Sequence, residues 1–360
     1  MPTFPDFPIP AQGETTQLAE GVLWLRMPLP FDLNHINLYL IEDEDGWFIV
    51  DTGLGGNTTE KIWRQHFEGA MKGKPVKGII LTHLHPDHIG QAGFLNEYWR
   101  APIYMSRAEY YSARSLSAKP SGASNWGEEL YYHQAGIDEA GVKQALESEP
   151  GFANFVTPFP RNYRRLQAGS VLSIGGSDWS VMIGSGHSPE HVCLFNADKK
   201  LLISGDQILP KITPNISVYS TEADGDPLAD YLDSLPQFLE LPEDTLTLPA
   251  HNLPFIGIRE RAEQMREHHE LKLQGLMVAT QTEQNAVELL PSMFSRPLKG
   301  AQIMFALGEC IAHLNYLMIR GDVERRLVED SSYGVWHYKA TREVQAVEKV
   351  DEDEMSMQPV

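Results

Sequence analysis

The segment Thr82-His83-Leu84-His85-Pro86-Asp87-His88-Ile89-Gly90 places four potential metal ligands within six residues. Imidazole and carboxylate together suit zinc, and also iron or manganese, and no thiolate is needed. Alternation along an extended stretch puts His83 and His85 on one face, so both can grip one ion. Pro86 forces a turn, which sends Asp87 and His88 to a second position. A catalytic ion keeps one coordination position open and lowers the pKa of its water to about 7. Metal-assisted hydrolysis is the chemistry these residue types offer.

Further residues of the same types stand at the ends of short apolar runs. WFIV runs into Asp51, GIILT into His83, WSVMIGSG into His187, KLLISG into Asp206 and TLTLPA into His251. Each run has the length and β-branched content of a buried strand. Groups at the strand ends of an α/β sheet converge on one crevice, the usual place for a site. A single histidine at a strand end is more often a surface or hydrogen-bonded residue. Four ligands in six residues, backed by three more at strand ends, do not fit that reading. Cys193, six residues after His187, lies inside an apolar VCLF run and reads as a buried thiol.

The elements that must position this centre fall into four pieces. Residues 1–20 form a Pro-rich arm. Residues 21–258 alternate short apolar runs with turns and amphipathic segments, which predicts α/β architecture. Residues 259–342 change texture. A long helix spans ERAEQMREHHELKLQGLMV, two more follow near Glu283–Leu290 and Gly300–Ile319, and a hairpin turns around Asp330–Gly334. Helix, helix, helix, hairpin is the order of a winged-helix-like module. Residues 343–360 are acidic and predict disorder.

Composition narrows the classes. The 360 residues carry 29 Lys or Arg against 49 Asp or Glu, a formal net charge of -20, so the overall field opposes nucleic acid. Two cysteines exclude a disulfide framework. No export signal or membrane span is visible at the sequence level, and a cytoplasmic location is expected.

HLHPDH, with its strand-end partners in order, resembles the HxHxDH signature of the metallo-β-lactamase superfamily over about Gly21 to Ile258. The resemblance implies an αββα sandwich, two mixed sheets face to face with helices outside. It implies that His83, His85 and His187 hold a first metal and that Asp87, His88 and His251 hold a second. Asp206 matches the carboxylate that bridges both, and Asp51 the aspartate that braces the ligand loop. With Asp206 and a complete second site, the pattern is similar to the hydroxyacylglutathione hydrolases, the glyoxalase II-like group. It is unlike the true β-lactamases, several of which use a cysteine. The stretch PAHNLPFIGIRERAEQMREHHELKLQ resembles the hinge of members with a C-terminal winged helix, a lactamase-like subgroup that includes a mitochondrial endoribonuclease. The implied reaction is attack by metal-bound hydroxide between two cations, with zinc the default and iron or manganese compatible. Asp87 then serves as catalytic residue as well as ligand, orienting the nucleophile and helping protonate the leaving group.

Four readings compete for the function. The first is hydrolysis of a thioester or related small acyl substrate, whose anionic end Arg107, Arg114 and Lys119 could meet. The second is a lactone or ester hydrolase on the same metals. The third is an endoribonuclease or phosphodiesterase, and the fourth a non-enzymatic scaffold, which would need missing ligands. Between Arg259 and Lys339 ten basic residues face eleven acidic ones, and GAQIMFALGECIAHLNYLMIRG is mostly apolar. That module therefore reads as a packing or homodimerisation element rather than a nucleic-acid binder. His191, Lys211, Asn215 and Tyr219 are candidate substrate residues beside the ligands. The segment Ser112 to Gly136, with Trp126, Tyr131 and Tyr132, is an insertion that forms either an apolar lid or an inward-packed helix. His268 and His269 are expected on a solvated helix face or at the domain interface.

Overall fold

The structure is a computed structural model that describes residues 2–30, 33–118, 126–148, 151–295, 297–298, 300–329 and 332–344. The first sheet runs in the order β1 (Thr16–Ala19), β2 (Val22–Pro28), β3 (His35–Asp43), β4 (Gly46–Val50), β5 (Val76–Ile80), β6 (Ile103–Met105) and β7 (Arg164–Arg165). β1 to β4 are antiparallel neighbours, whereas β4 to β7 are parallel. The second sheet contains β8 (Val171–Ile174), β9 (Ser177–Gly184), β10 (His191–Asn196), β11 (Leu201–Gly205), β12 (Leu246–Pro249) and β13 (Phe255–Ile256). Only β11 and β12 are parallel within it.

Strand periodicity explains how the layers stack. Along β3, Tyr39 and Ile41 face the second sheet, while Ile36, Leu38 and Leu40 face outward. The inner faces meet through Trp24, Phe48 and Ile80 on one side and Trp179, Val192 and Leu248 on the other. The outer face of the first sheet is covered by α1 (Asn57–Glu68), α3 (Ala92–Trp99) and α4 (Arg107–Ser117), through side chains such as Trp63, Leu95 and Tyr110. The one-turn helix α2 (Pro86–Ile89) lies between α1 and α3 in sequence. This is the αββα sandwich expected, of mixed α/β class.

The outer face of the second sheet is covered from further along the chain. α5 (Trp126–Ala135) and α6 (Glu139–Ser148) precede that sheet, and α7 (Pro227–Ser234) and α8 (Pro236–Leu239) connect β11 to β12. Then come α9 (Ile258–Ala279), β14 (Gln284–Asn285), α10 (Ala286–Met293), α11 (Ala301–Ile319), β15 (Val323–Val328) and β16 (Val335–Ala340). β14, β16 and β15 form a third, three-stranded sheet. Helices α9 to α11 share one apolar cluster with Cys193 and Leu202 of the second sheet, so the C-terminal piece is welded to the sandwich. Within α11, Gln302–Ile319 is long and apolar enough to cross a membrane, but 61% of it is buried inside the fold.

The N-terminal arm and the insertion are both more ordered than a loose arm or a lid. The arm of residues 1–20 already contains β1, and Thr3 exchanges two backbone hydrogen bonds of 2.9 Å with Ile256. Unpaired backbone groups are costly when covered, so a Pro-rich segment with no helix potential pairs with whatever edge is nearest. In the insertion, Tyr131 and Tyr132 pack inward against the core and Trp126 is exposed. Lys119 and the acidic segment 345–360 lie outside the described residues.

Candidate metal centre

All five apolar runs become strands of the two sheets, and their C-terminal ends bring the candidate ligands together. Two groups form. His83, His85, His187 and Asp206 make the first, and Asp87, His88 and His251 the second, each with its ligand atoms within 4.8 Å of one another. In the first, His83 Nε2 is 2.8 Å from His85 Nδ1 and 3.3 Å from His187 Nε2. Asp206 Oδ2 lies between the groups, 3.5 Å from His187 Nε2 and 3.4 Å from His88 Nε2. Asp87 Oδ2 is 3.4 Å from His251 Nε2 and 3.6 Å from His88 Nε2. These separations match ligand atoms arranged about a common ion at roughly 2 Å from each. His88 Nε2 and Asp206 Oδ1 are buried without a hydrogen-bond partner among the described residues. Buried polar atoms are rarely left so, and a pair of cations would satisfy both.

The opposite ring nitrogens are fixed from behind. His187 Nδ1 donates to the Asn215 carbonyl at 2.8 Å, and His251 Nδ1 to the His35 carbonyl at 3.0 Å. Asp51 Oδ2 accepts from His88 Nδ1 at 2.7 Å and from the Thr82 hydroxyl at 2.8 Å, while Oδ1 accepts the Thr82 N–H at 2.8 Å. The Thr82 oxygen in turn accepts from His83 Nδ1 at 3.0 Å. Such contacts set the tautomer and aim the free lone pair inward. Asp51 does this from a left-handed backbone, φ 60°, which a short polar side chain tolerates.

Charge divides the cluster. Burial pushes His85 down to about 3, with the His187 ring adding to the effect. Burial acts on His251 in the same direction, but Asp206 and Asp87 outweigh it and raise it to about 10. Burial likewise opposes charge on His88, and Asp87, Asp206 and Asp51 reverse the balance and hold it well above its ordinary value. In the metal-free protein, protons are therefore drawn to His88 and His251 of the second group, while burial disfavours them on His83 and His85 of the first.

The remaining candidates divide differently. His191 lies behind the ligands. It is fully buried, its ring stacks on His83 at 4.7 Å, and its Nε2 accepts the Asp206 N–H at 3.1 Å. Gly205 permits this approach, since a Cβ there would lie 2.5 Å from the His191 ring. Asn215 acts through its carbonyl on His187. Lys211 places its ammonium 5.7 Å above the Phe4 ring. Tyr219 is 49% exposed at the start of a 3-10 turn, Ser220–Glu222. His268 is half-buried and His269 fully buried between α9 and α11.

Two supports escaped the sequence reading. Glu109 on α4 is fully buried, and its two oxygens accept the Leu84 N–H at 2.9 Å and the Glu190 N–H at 2.8 Å. It thus ties the HxH loop to the His187 loop. Burial pushes its carboxyl up to about 7, against the pull of Ser188 and those two N–H groups. The second support is α11. The Val218 N–H donates to the Gly308 carbonyl at 3.0 Å, and a Cβ at Gly308 would sit 2.9 Å from the Val218 oxygen. The loop that holds His187 through Asn215 is therefore pressed against a glycine in the C-terminal piece.

The chain belongs to the metallo-β-lactamase superfamily, whose profile matches residues 32–251, and residues 273–341 match the metallo-beta-lactamase-like C-terminal domain. A beta-lactamase domain protein from Burkholderia ambifaria is 38% identical with a TM-score of 0.88, over 94% of this chain and 98% of that one. A metallo-beta-lactamase family protein from Thermus thermophilus is 28% identical with a TM-score of 0.74, over 90% of this chain and all of its own. The acyl-coenzyme A thioesterase MBLAC2 of Gallus gallus is 25% identical over 244 residues, 65% of this chain and 78% of its own length. Family and relatives make this chain a metallo-hydrolase.

Proposed function

We propose that the protein is a binuclear metal-dependent hydrolase of thioesters. The observation that carries the two-metal reading is the placement of Asp206 Oδ2 between two complete ligand groups. His83, His85 and His187 would hold one cation, Asp87, His88 and His251 the other, with Asp206 shared. Zinc suits this set, and iron and manganese are compatible with it. When bound, the cations supply Lewis acidity toward the acyl oxygen and toward water. The chain's own residues do the rest. Asp51, Thr82, Asn215, His35 and His191 hold the ligating groups in place. Asp87 orients the attacking water, takes its proton on the carboxylate, and passes it to the departing sulfur. The thioesterase named among the relatives supports an acyl-CoA substrate.

The order helix, strand, helix, helix, hairpin from α9 to β16 supports a winged-helix-like reading of the C-terminal piece. Its apolar α11 is spent on packing against α9 and α10, which leaves it a supporting rather than a nucleic-acid-binding role.

Metal analysis of the purified protein, followed by acyl-CoA, acylglutathione, lactone, phosphodiester and short RNA on the same sample, tests the reading. About two metals per chain with thioester turnover is expected. Turnover of lactone alone, or of RNA alone, replaces the substrate class. His85→Ala and Asp206→Ala should each lose metal and activity, and two metals retained in both would refute the ligand assignment.

A further inference from the structure

β4, β5, β6 and β7 are parallel, so their C-terminal ends share the sheet edge that carries the candidate ligands. Asp51 and His83 follow β4 and β5. The next two strands end in arginine instead. Arg107 opens α4 just after β6, and Arg164 and Arg165 are β7 itself. The first turn of α4 is fixed to the ligand loops by Glu109 and by the Ala108 N–H, which donates to Glu190 Oε2 at 2.8 Å. Residues 159–165 lie along the same helix. Arg114 donates to the Phe159 carbonyl at 3.0 Å, the Tyr110 hydroxyl donates to the Pro160 carbonyl at 3.0 Å, and Tyr163 stacks on Tyr110 at 3.9 Å.

The charge here reverses that of the molecule. Residues 98–118 and 151–177 contain six arginines and one carboxylate, Glu109, which is buried. Arg107, Arg161, Arg164 and Arg165 are exposed. None of them forms an ion pair among the described residues, whereas arginines elsewhere, such as Arg320 and Arg325, do. Tyrosines are interleaved with them. Arg164 lies 5.8 Å over Tyr104, and Tyr111, 62% exposed, stands edge-on to Tyr163 at 6.2 Å. Guanidinium forks match phosphate bidentately, and exposed phenol faces accept a stacked base. A long nucleic-acid strand would leave this patch for the field of a chain at -20, whereas a short anion would not.

We propose that the surface of α4 and β7 binds the phosphorylated nucleotide end of a coenzyme A thioester whose acyl bond is cleaved at the metal centre. The proposal rests on the thioester reading for the bond cleaved, but its binding test does not. The long pantetheine arm of such a substrate joins the two sites without requiring that they touch.

The experiment compares wild type with Arg107→Gln/Arg165→Gln and Arg161→Gln/Arg164→Gln, all exposed positions outside the ligand set. Free coenzyme A binding is measured by calorimetry at two salt concentrations. Kinetics are measured on an acyl-CoA and on the same acyl group carried by N-acetylcysteamine, which lacks the nucleotide. Tenfold or greater weakening of coenzyme A binding is expected in each variant, with binding falling as salt rises. The acyl-CoA KM should rise by the same factor with kcat within twofold, and the truncated thioester should be unaffected. If no thioester is hydrolysed but arginine-dependent coenzyme A binding remains, the hydrolase substrate falls and the nucleotide site stands. Coenzyme A binding equal to wild type in both variants overturns the site. So does arginine-dependent binding of a short single-stranded RNA without binding of coenzyme A.

Discussion

Two histidine–carboxylate clusters are buried among the described residues, and they differ in what balances their charge. The first gathers Asp51, Asp87 and Asp206 around His83, His85, His88, His187 and His251 at the strand ends. The second, His269, Glu309 and His313, joins α9 to α11 and also has three ligand-type atoms within 4.8 Å of one another. In the second, Lys272 Nζ sits 2.7 Å from Glu309 Oε1, His269 Nδ1 donates to His313 Nε2 at 3.1 Å, and His313 Nδ1 donates to the Glu309 carbonyl at 2.8 Å. Its negative charge is matched on site by an ammonium. In the first, no lysine or arginine pairs with these carboxylates among the described residues; only the rings of His88 and His251 are drawn toward the charged form by them. Unmatched negative charge, rather than residue type, separates a cluster built for cations from a buried crosslink.

The largest effects should fall on the first cluster. Asp206→Asn should lower activity by on the order of 10³-fold or more and shed metal, because one side chain serves both groups. Lys272→Met tests the second cluster, since it strands Glu309 as an unpaired buried charge. A loss of about 3–5 kcal/mol is expected in denaturant unfolding, with metal content per folded chain unchanged. Gain of a third metal in wild type, read by elemental analysis, would erase the distinction drawn between the clusters.

Smaller changes sharpen it. Asp51→Asn keeps the shape but weakens the hold on His88 and Thr82, so metal affinity should fall about 10–100-fold by chelator competition. Gly308→Ala improves helix propensity yet crowds the Val218 carbonyl. Net destabilisation of about 1–3 kcal/mol is expected, with weakened metal retention through Asn215 and His187. The smallest effect is in pH. Burial, followed by Lys272, pushes His313 down to about 3. The unfolded chain binds this proton more readily than the fold, so stability is complete above about pH 6.5 and declines toward pH 3. His313→Gln should shallow that decline in urea midpoints between pH 7.5 and 5, by comparison with wild type.

The ligands and their strands were legible because both signals are local. A short β-branched run followed by Asp or His is complete within ten residues, and the order of five such runs fixes the crevice. Glu109 was not legible, because its partners lie 25 and 81 residues away and its helix is an ordinary amphipathic one. Asn215 stood out by its side chain but acts through a carbonyl that any residue possesses. His191 sits in the same loop-like context as a substrate residue, and its burial and its bond to the Asp206 N–H come from partners distant in sequence. The nucleotide surface joins α4 to a strand more than forty residues later, so its arginines look scattered along the chain.

The family profiles match two separate stretches, 32–251 and 273–341, which invites treating the C-terminal piece as an exchangeable part. The contact between Gly308 and Val218 argues against such modularity. A chimera carrying another relative's C-terminal piece would inherit its new activity level from the register of one helix. A graft that placed any side chain at position 308 would move the loop behind His187 and detune the metals. Engineers who recombine these enzymes should therefore cut so that the 214–219 loop and α11 travel together.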